Sequence, residues 1–179
     1  MAINVTYYGT LVEAQEYFDG RLHEWAWSAA SEGDRERALI AARRLIDGLA
    51  YKGYKHATYL VYETYDSGVV LTEAQLEAMR TAEASQLNEF PRGADTEVPE
   101  DICIAQYELA HSMLDNKDPE MELESLAVTS STYGGVKTMF NREQLPIEHL
   151  INMIPNALAW RLLRPYLRDS RGIVISRAS

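Results

Sequence analysis

The stretch "RERALIAARRLIDGLAY", residues 35–51, carries the clearest helical pattern in the chain. Its apolar side chains recur at intervals of three and four, while charged side chains take the opposite face. The apolar set is Ala38, Leu39, Ala42, Leu45, Ile46 and Leu49. Ser31 and Asp34 supply an N-cap, and Gly53 stands where a left-handed residue would end a helix. The pattern predicts an amphipathic helix over this stretch and a mainly α-helical fold around it.

Further helix signals lie on both sides of this stretch. After a short extended piece, Ile3 to Tyr8, Thr10 caps a first helix, and a helical turn follows at Trp25 and Trp27. Thr72 and Gln75 have capping-box spacing for a later helix, which Pro91 closes. Three apolar residues of this segment are expected in the core: Leu76, Met79 and Leu87.

The second half of the chain predicts two more helices. Pro99 begins one of them, with Glu100 and Asp101 on its positive end. Its buried stripe is expected to be Ile102, Ala105, Leu109, Ala110 and Met113, with Gln106 at the edge. The stretch "NALAWRLLRPYL", residues 156–167, predicts the last helix, with core candidates Leu158, Trp160, Leu162, Leu163 and Tyr166.

Extended structure is predicted in three places. Residues 54–71 are rich in β-branched and aromatic side chains around a turn, which favours an inserted hairpin. Residues 121–145, with two adjacent glycines, favour an extended arm or a second hairpin. Residues 172–177 read as a strand-like tail. The resulting organisation is one domain, with a helical body (1–120), the arm (121–145), and a C-terminal helix and tail (146–179).

Between two predicted helices lies "FPRGADTEVPEDI", residues 90–102, which we interpret as a structural joint. Pro91 stops one helix, Gly93 allows the turn and Pro99 starts the next helix. Arg92 is expected to clamp a carboxylate or helix-end carbonyls. A nucleic-acid contact by Arg92 is the alternative, disfavoured by the acidic residues around it.

Charge is distributed unevenly along the sequence, whose net charge is −10. Residues 1–134 hold 10 Lys/Arg against 24 Asp/Glu, whereas residues 135–179 hold 7 against 3. An acidic body with a basic end does not resemble a nucleic-acid coat. The basic end either neutralises its own body or meets an acidic partner. A single cysteine, no signal segment and no membrane span predict a soluble protein made in a reducing cytoplasm.

Catalytic and metal-binding patterns are weak in this sequence. Cys103 stands between two isoleucines and is expected to be a small buried hydrophobe. Glu108 and His111 form one Glu-x-x-His pair, for which a surface or capping role is favoured over a di-iron site. There is no phosphate loop, nucleophile elbow or paired-cysteine motif. The clustered tyrosines between Tyr51 and Tyr65 favour packing over base stacking. We therefore predict no enzyme, no catalytic residues, no cofactor and no metal.

Several pieces of sequence, in order, resemble a known family. They are "YYGTLVEAQEYFDGR", "RALIAARRLIDGLAYKG", "QLNEFPRG" followed by "VPEDICIAQYELAHSML", and "AWRLLRPYL". Together they are similar to tailed-phage proteins often labelled DnaT-like single-stranded-DNA-binding proteins, and to head-to-tail adaptor proteins. Residues 54 to about 79 look inserted relative to that family, so no role is carried over to them.

The resemblance implies one of two functions. The first is a virion protein of the head-tail neck, made in the host cytoplasm, which forms a homo-oligomeric ring, expected to be a dodecamer, on the capsid portal. Its partners would be portal, tail and neck proteins, and DNA would pass through without specific binding. The alternative is a single-stranded-DNA-binding replication protein. For the adaptor, the candidate portal-binding residues are Arg168, Arg171, Ile173, Val174, Ile175 and Arg177.

Overall fold

The structure is a computed structural model that describes residues 6–65, 68–127, 130–133, 136–139 and 148–168. These residues are mainly α-helical, as the sequence predicts. The helices are α1 (Leu11–Asp19), α2 (Trp25–Ser28), α3 (Glu32–Asp47), α4 (His56–Tyr62), α5 (Glu73–Ser85), α6 (Glu100–Leu114), α7 (Pro119–Ala127), α8 (Glu148–Ile151) and α9 (Ala157–Leu163), followed by a 3₁₀ turn (Arg164–Tyr166). Strands β1 (Ser130–Tyr133) and β2 (Val136–Met139) pair antiparallel, with Ser130 opposite Met139.

The core of the molecule is built around α6. This helix packs against α3 on one side and α9 on another, and it also contacts α1 and α2. Leu39 and Ile46 of α3 and Leu109 of α6 are fully buried there. The rings of Phe18 and Trp27 stack 4.6 Å apart beneath α6. We refer to α1, α2, α3, α6 and α9 as the bundle.

Side chains cap the helices where the sequence predicts. Thr10 and Ser31 each accept a hydrogen bond from the backbone N–H three residues on, at 3.1 and 3.2 Å. Thr72 and Gln75 form a reciprocal capping box at the start of α5. Each cap satisfies backbone donors that the first turn leaves without partners. Among the described helices, none is long and apolar enough to cross a membrane.

The predicted end of the central helix is wrong. α3 ends at Asp47, and Gly53, with φ +67°, lies six residues further on. The intervening chain pairs with the C-terminal segment: Lys52 donates to the Tyr166 carbonyl and Arg168 donates to the Ala50 carbonyl, both at 2.9 Å. These backbone bonds replace the next helical turn, and Gly53 instead turns the chain toward α4.

The hairpin predicted over residues 54–71 is also wrong. Residues 56–62 form α4, with i to i+4 backbone bonds such as the one from Tyr59 N–H to the Lys55 carbonyl at 2.8 Å. α4 packs against α5, and Thr58 on that side is buried and donates to Glu83 at 2.7 Å. Strand propensity depends strongly on context, and packing against a helix overrides it here.

The predicted start of the extended arm is corrected as well. Residues 119–127 form α7 instead of arm. The Asp118 carboxylate accepts from the Glu120 N–H at 2.9 Å, and Pro119 occupies the first turn, where its missing N–H costs nothing. Residues 3–5 of the predicted N-terminal extended piece and residues 172–177 of the tail lie outside the described residues.

Two side chains predicted in the core are exposed, and one predicted at its edge is buried. Leu87 is 72% exposed and Leu158 is 39% exposed, whereas Gln106, expected at an edge, is fully buried. α5 ends at Ser85 and Gln86 is extended, so the buried side chain at this point is Gln86 rather than Leu87. Gln106 is satisfied by a pair of bonds with the Tyr8 backbone at 2.8 and 2.9 Å, which explains its burial.

Candidate functional site

The joint between α5 and α6 is held by Arg92. Its guanidinium donates to the backbone carbonyls of Lys52 and Gly53 at 3.1 and 2.7 Å, and it pairs with the Glu89 carboxylate. It also lies over the Tyr51 ring, 5.4 Å from the centroid. A planar guanidinium suits several acceptors at once, so Arg92 ties the chain after α3 to the chain before α6.

Backbone contacts complete the joint. Residues 55 and 92 form an antiparallel bridge, Gly93 donates to the Tyr54 carbonyl at 2.9 Å, and His56 donates to the Pro91 carbonyl at 3.1 Å. Gly93 has φ +56°, a conformation that favours glycine. The predicted role of Pro91 as a helix stop is wrong, since α5 ends at Ser85, six residues earlier; Pro91 is buried and follows Phe90 by a cis bond. Pro99 immediately precedes the first turn of α6.

Buried polar groups attach α4 and α5 to the joint. The fully buried Gln86 side chain accepts from the Ala57 N–H at 3.0 Å and donates to the Pro91 carbonyl at 2.8 Å. Lys55 is also buried, donates to the Gln86 carbonyl at 3.0 Å and lies 3.2 Å from the Glu89 carboxylate. Because these polar groups satisfy one another, they hold this region without a large apolar core.

Apolar side chains of this same region face outward. Within the described residues, thirteen large hydrophobic side chains are strongly exposed, and six of them lie between residues 54 and 87. These six, which we call the α4–α5 surface, are Tyr54, Leu60, Tyr62, Val69, Val70 and Leu87. The rings of Tyr54 and Tyr62 contact each other at 5.2 Å. Exposed apolar side chains that lie together, as Tyr54 and Tyr62 do, favour a protein-protein contact.

Sequence patterns did not indicate this surface, because five of its six residues fall in the predicted hairpin and Leu87 was expected in the core. The usable signal was the four-residue spacing of Thr58 and Tyr62, which favours a helix and lies within α4. Among the tyrosines assigned to packing, Tyr51 is buried, and desolvation, together with the nearby charge of Asp47, raises its pKa.

The Glu108–His111 pair lies in the interior, not at the surface as predicted. Glu108 is fully buried, paired with Arg21 at 2.7 Å, and it accepts from Tyr17 at 2.6 Å and from Asn156 at 3.2 Å. Burial and the bond to Glu108 raise the pKa of Tyr17 to about 12. Since an arginine and two neutral donors satisfy this carboxylate, it acts as an internal tie between α1, α6 and α9. In the described part of the chain no group of three His, Cys, Asp or Glu side chains is placed to hold a metal ion.

Cys103 is partly exposed rather than buried. It packs at the edge of the core on the first turns of α6, and desolvation raises the pKa of its thiol to about 11. At neutral pH the thiol is therefore protonated and a poor nucleophile.

Only one of the six candidate portal-binding residues, Arg168, lies within the described residues. Arg168 is exposed, and its N–H is tied to Ala50. The other five, Arg171, Ile173, Val174, Ile175 and Arg177, lie outside the described residues.

Comparisons with family models, with curated proteins and with solved structures found no match to this chain.

Proposed function

We propose that this protein is a structural subunit of a tailed-phage neck, which assembles as a ring-shaped adaptor between the capsid portal and the tail. The observation that carries this proposal is the α4–α5 surface: Leu60 and Tyr62 lie on α4, and its other four exposed apolar side chains lie in the segments that flank α4 and α5. The resemblance of the sequence to adaptor proteins supports the same function. A ring of more than two subunits requires head-to-tail contacts, in which a face such as this one meets a different face of the neighbouring subunit.

The charge of the body supports a role as a conduit. Residues 1–134 carry a net formal charge of −14, from 10 basic and 24 acidic side chains. A negative surface repels the phosphate backbone, so DNA would slide past instead of adhering.

Assembly is tested by imaging the purified protein alone and mixed with portal protein. We expect rings or portal-bound collars in negative stain and a matching mass by sedimentation. The double variant Leu60→Ser/Val70→Ser should lose the rings, because it removes apolar contact area from the α4–α5 surface. The control Leu22→Ser/Met121→Ser removes two equally exposed apolar side chains elsewhere and should still assemble. Monomers under all conditions would refute the adaptor proposal.

Portal binding through the C-terminal segment is tested by deletion. Removing residues 172–179 should abolish capture by immobilised portal, whereas removing residues 178–179 alone should not, since Ile173 to Arg177 remain. Undiminished capture by the longer deletion would show that the tail does not bind portal.

A single-stranded-DNA-binding function is the second candidate, favoured by the exposed ring pair of Tyr54 and Tyr62. Exposed aromatic rings can stack on unpaired bases. A mobility-shift titration at low and moderate salt separates the two candidates. Salt-sensitive binding below micromolar protein, lost in Tyr54→Ala/Tyr62→Ala but kept in Trp25→Ala, would replace the adaptor proposal with this one.

A further inference from the structure

A groove runs between α1 and the start of α6. It is about 1000 Å³ in volume, and apolar or aromatic side chains from both helices and from the preceding loop line it. These are Tyr17, Val98, Cys103, Ile104 and Tyr107. Gly9 also lines it and brings the backbone close to the Tyr107 hydroxyl.

Four glutamates line the same groove: Glu13, Glu16, Glu97 and Glu100. All four are exposed, and none forms an ion pair with a side chain in the described ranges. An apolar groove with unpaired carboxylates matches an occupant that is both apolar and cationic.

The described chain ends close to this groove. A smaller cavity lined by residues 94–99 also includes Tyr166, and it shares Glu97 and Val98 with the larger groove. Tyr166 is two residues before Arg168, the last described residue. The last described turn of the chain therefore lies at a cavity that adjoins the groove.

The segment of sequence that follows is both apolar and cationic. It reads "RGIVISR", residues 171–177, with arginines at both ends of an apolar centre. In an extended chain, alternate residues share a face, so Arg171, Ile173, Ile175 and Arg177 would point the same way. Five residues reach about 17 Å at about 3.3 Å each, which is enough to bring Ile173 from Arg168 into an adjacent groove.

We propose that residues 171–177 dock in the α1–α6 groove of their own chain, with Ile173 and Ile175 against its apolar lining and the two arginines against the glutamates. This inference does not depend on the adaptor function. If that function also holds, docking withholds the tail from portal until portal displaces it, since one segment cannot occupy both sites.

The test uses Cys103, which lines the groove and is the only cysteine in the chain. Its rate of alkylation by iodoacetamide is measured in the purified full-length protein at one fixed alkaline pH. Docking should shield the thiol. The variant Arg171→Glu/Arg177→Glu should therefore react about tenfold faster than the wild type, the factor expected for a docked state favoured by about 1.4 kcal/mol. High salt should accelerate the wild type but not this variant.

Two controls make the result specific. Arg37→Glu/Arg161→Glu reverses two exposed arginines outside the groove and should leave the rate unchanged. Adding Glu16→Arg/Glu97→Arg to the tail variant restores opposite charges across the groove and should restore shielding. Equal rates in the wild type and the tail variant would overturn the proposal.

A crosslink distinguishes the chain's own tail from that of another copy. In a Val174→Cys variant, a short bismaleimide should join residues 103 and 174 within one chain, at a yield independent of protein concentration. Crosslinks that form only between chains, or that disappear on dilution, would overturn the assignment to the same chain.

Discussion

The bundle and the α4–α5 region differ in the balance of apolar and polar side chains that they bury. In the bundle, apolar residues such as Leu39 and Leu109 are fully enclosed. Around α4 and α5, the buried groups include Lys55, Thr58 and Gln86, while Leu60 and Val70 face outward. Apolar burial is non-directional and cumulative, whereas buried polar groups are stable only when each finds its partner. The α4–α5 region, which has the smaller apolar share, should therefore fail locally when one hydrogen bond is lost.

The largest expected effect is on the bundle core. Leu109→Ala should lower the free energy of unfolding by about 2–5 kcal/mol, since it leaves a cavity in a fully buried site. Leu60→Ala, the same change at an exposed site of α4, should cost less than about 0.5 kcal/mol. Urea denaturation followed by circular dichroism measures both. Similar losses in the two variants would mean that α4 is packed as the bundle is.

Substitutions at two glycines, one against the bundle and one in open space, test how closely the bundle is packed. Gly9 and Gly53 have nearly the same φ, +69° and +67°, but a Cβ at Gly9 would clash with the Tyr107 hydroxyl, whereas a Cβ at Gly53 would meet nothing within 4 Å. Gly53→Ala should cost about 1–2 kcal/mol from backbone strain alone. Gly9→Ala should cost roughly 1–3 kcal/mol more from overpacking. Thermal or urea unfolding of both variants gives the difference, and equal losses would contradict the close approach.

Because buried polar groups attach α4, losing one of them should unfold this helix locally. Gln86→Leu leaves the Ala57 N–H and the Pro91 carbonyl without their side-chain partner, at a cost of about 1–3 kcal/mol. Hydrogen exchange should quicken at residues 57–62 and stay unchanged in α3 and α6. Gln75→Leu, on the exposed capping box of α5, is the control. Faster exchange throughout the bundle would show that the two regions unfold together.

The smallest expected effect concerns pH. Burial and, next, the charge of Arg21 lower the pKa of His111 from its ordinary value of 6.5. The folded state thus binds fewer protons than the unfolded state once the pH falls below 6.5. This group should therefore lower the free energy of unfolding as the pH falls from 6.5 to its folded pKa, by at most about 1.4 kcal/mol per pH unit. Its contribution to stability should be fully present above pH 6.5.

The His111→Phe variant lacks this titration and keeps an aromatic ring against Phe18, which lies 5.5 Å from the His111 ring. The difference in unfolding free energy between wild type and variant, measured between pH 5 and pH 8, isolates the effect because all other titrating groups are common to both. A difference that does not change with pH would contradict the lowered pKa.

Local signals predicted much of the bundle from the sequence. The apolar spacing of Leu39, Ala42 and Ile46 and the caps at Thr10 and Ser31 depend on residues within one or two turns, so they can be read without tertiary information. The α4–α5 region could not be predicted in this way. Whether Gln86 is buried depends on Ala57 and Pro91, and the helical state of residues 56–62 depends on packing against α5.

The candidate sites also differ in how much of each could be predicted from local sequence. Arg92 was identified from its neighbours as a clamp candidate, but its carbonyl partners, Lys52 and Gly53, lie about 40 residues away in the sequence. The α1–α6 groove gave no sequence signal, because its glutamates come from two distant segments, residues 13–16 and residues 97–100, that only the fold brings together.

The bridge between residues 55 and 92 has a consequence for chain length. The segment that contains α4 and α5 leaves the body and returns to it at adjacent points. For a loop anchored in this way, the entropy of closure changes slowly with length, so halving the segment would alter it by only about 0.6 kcal/mol. Homologous chains could therefore lengthen, shorten or replace this segment at little cost to the bundle, and swapping it between chains would be a direct way to exchange assembly partners while keeping one core.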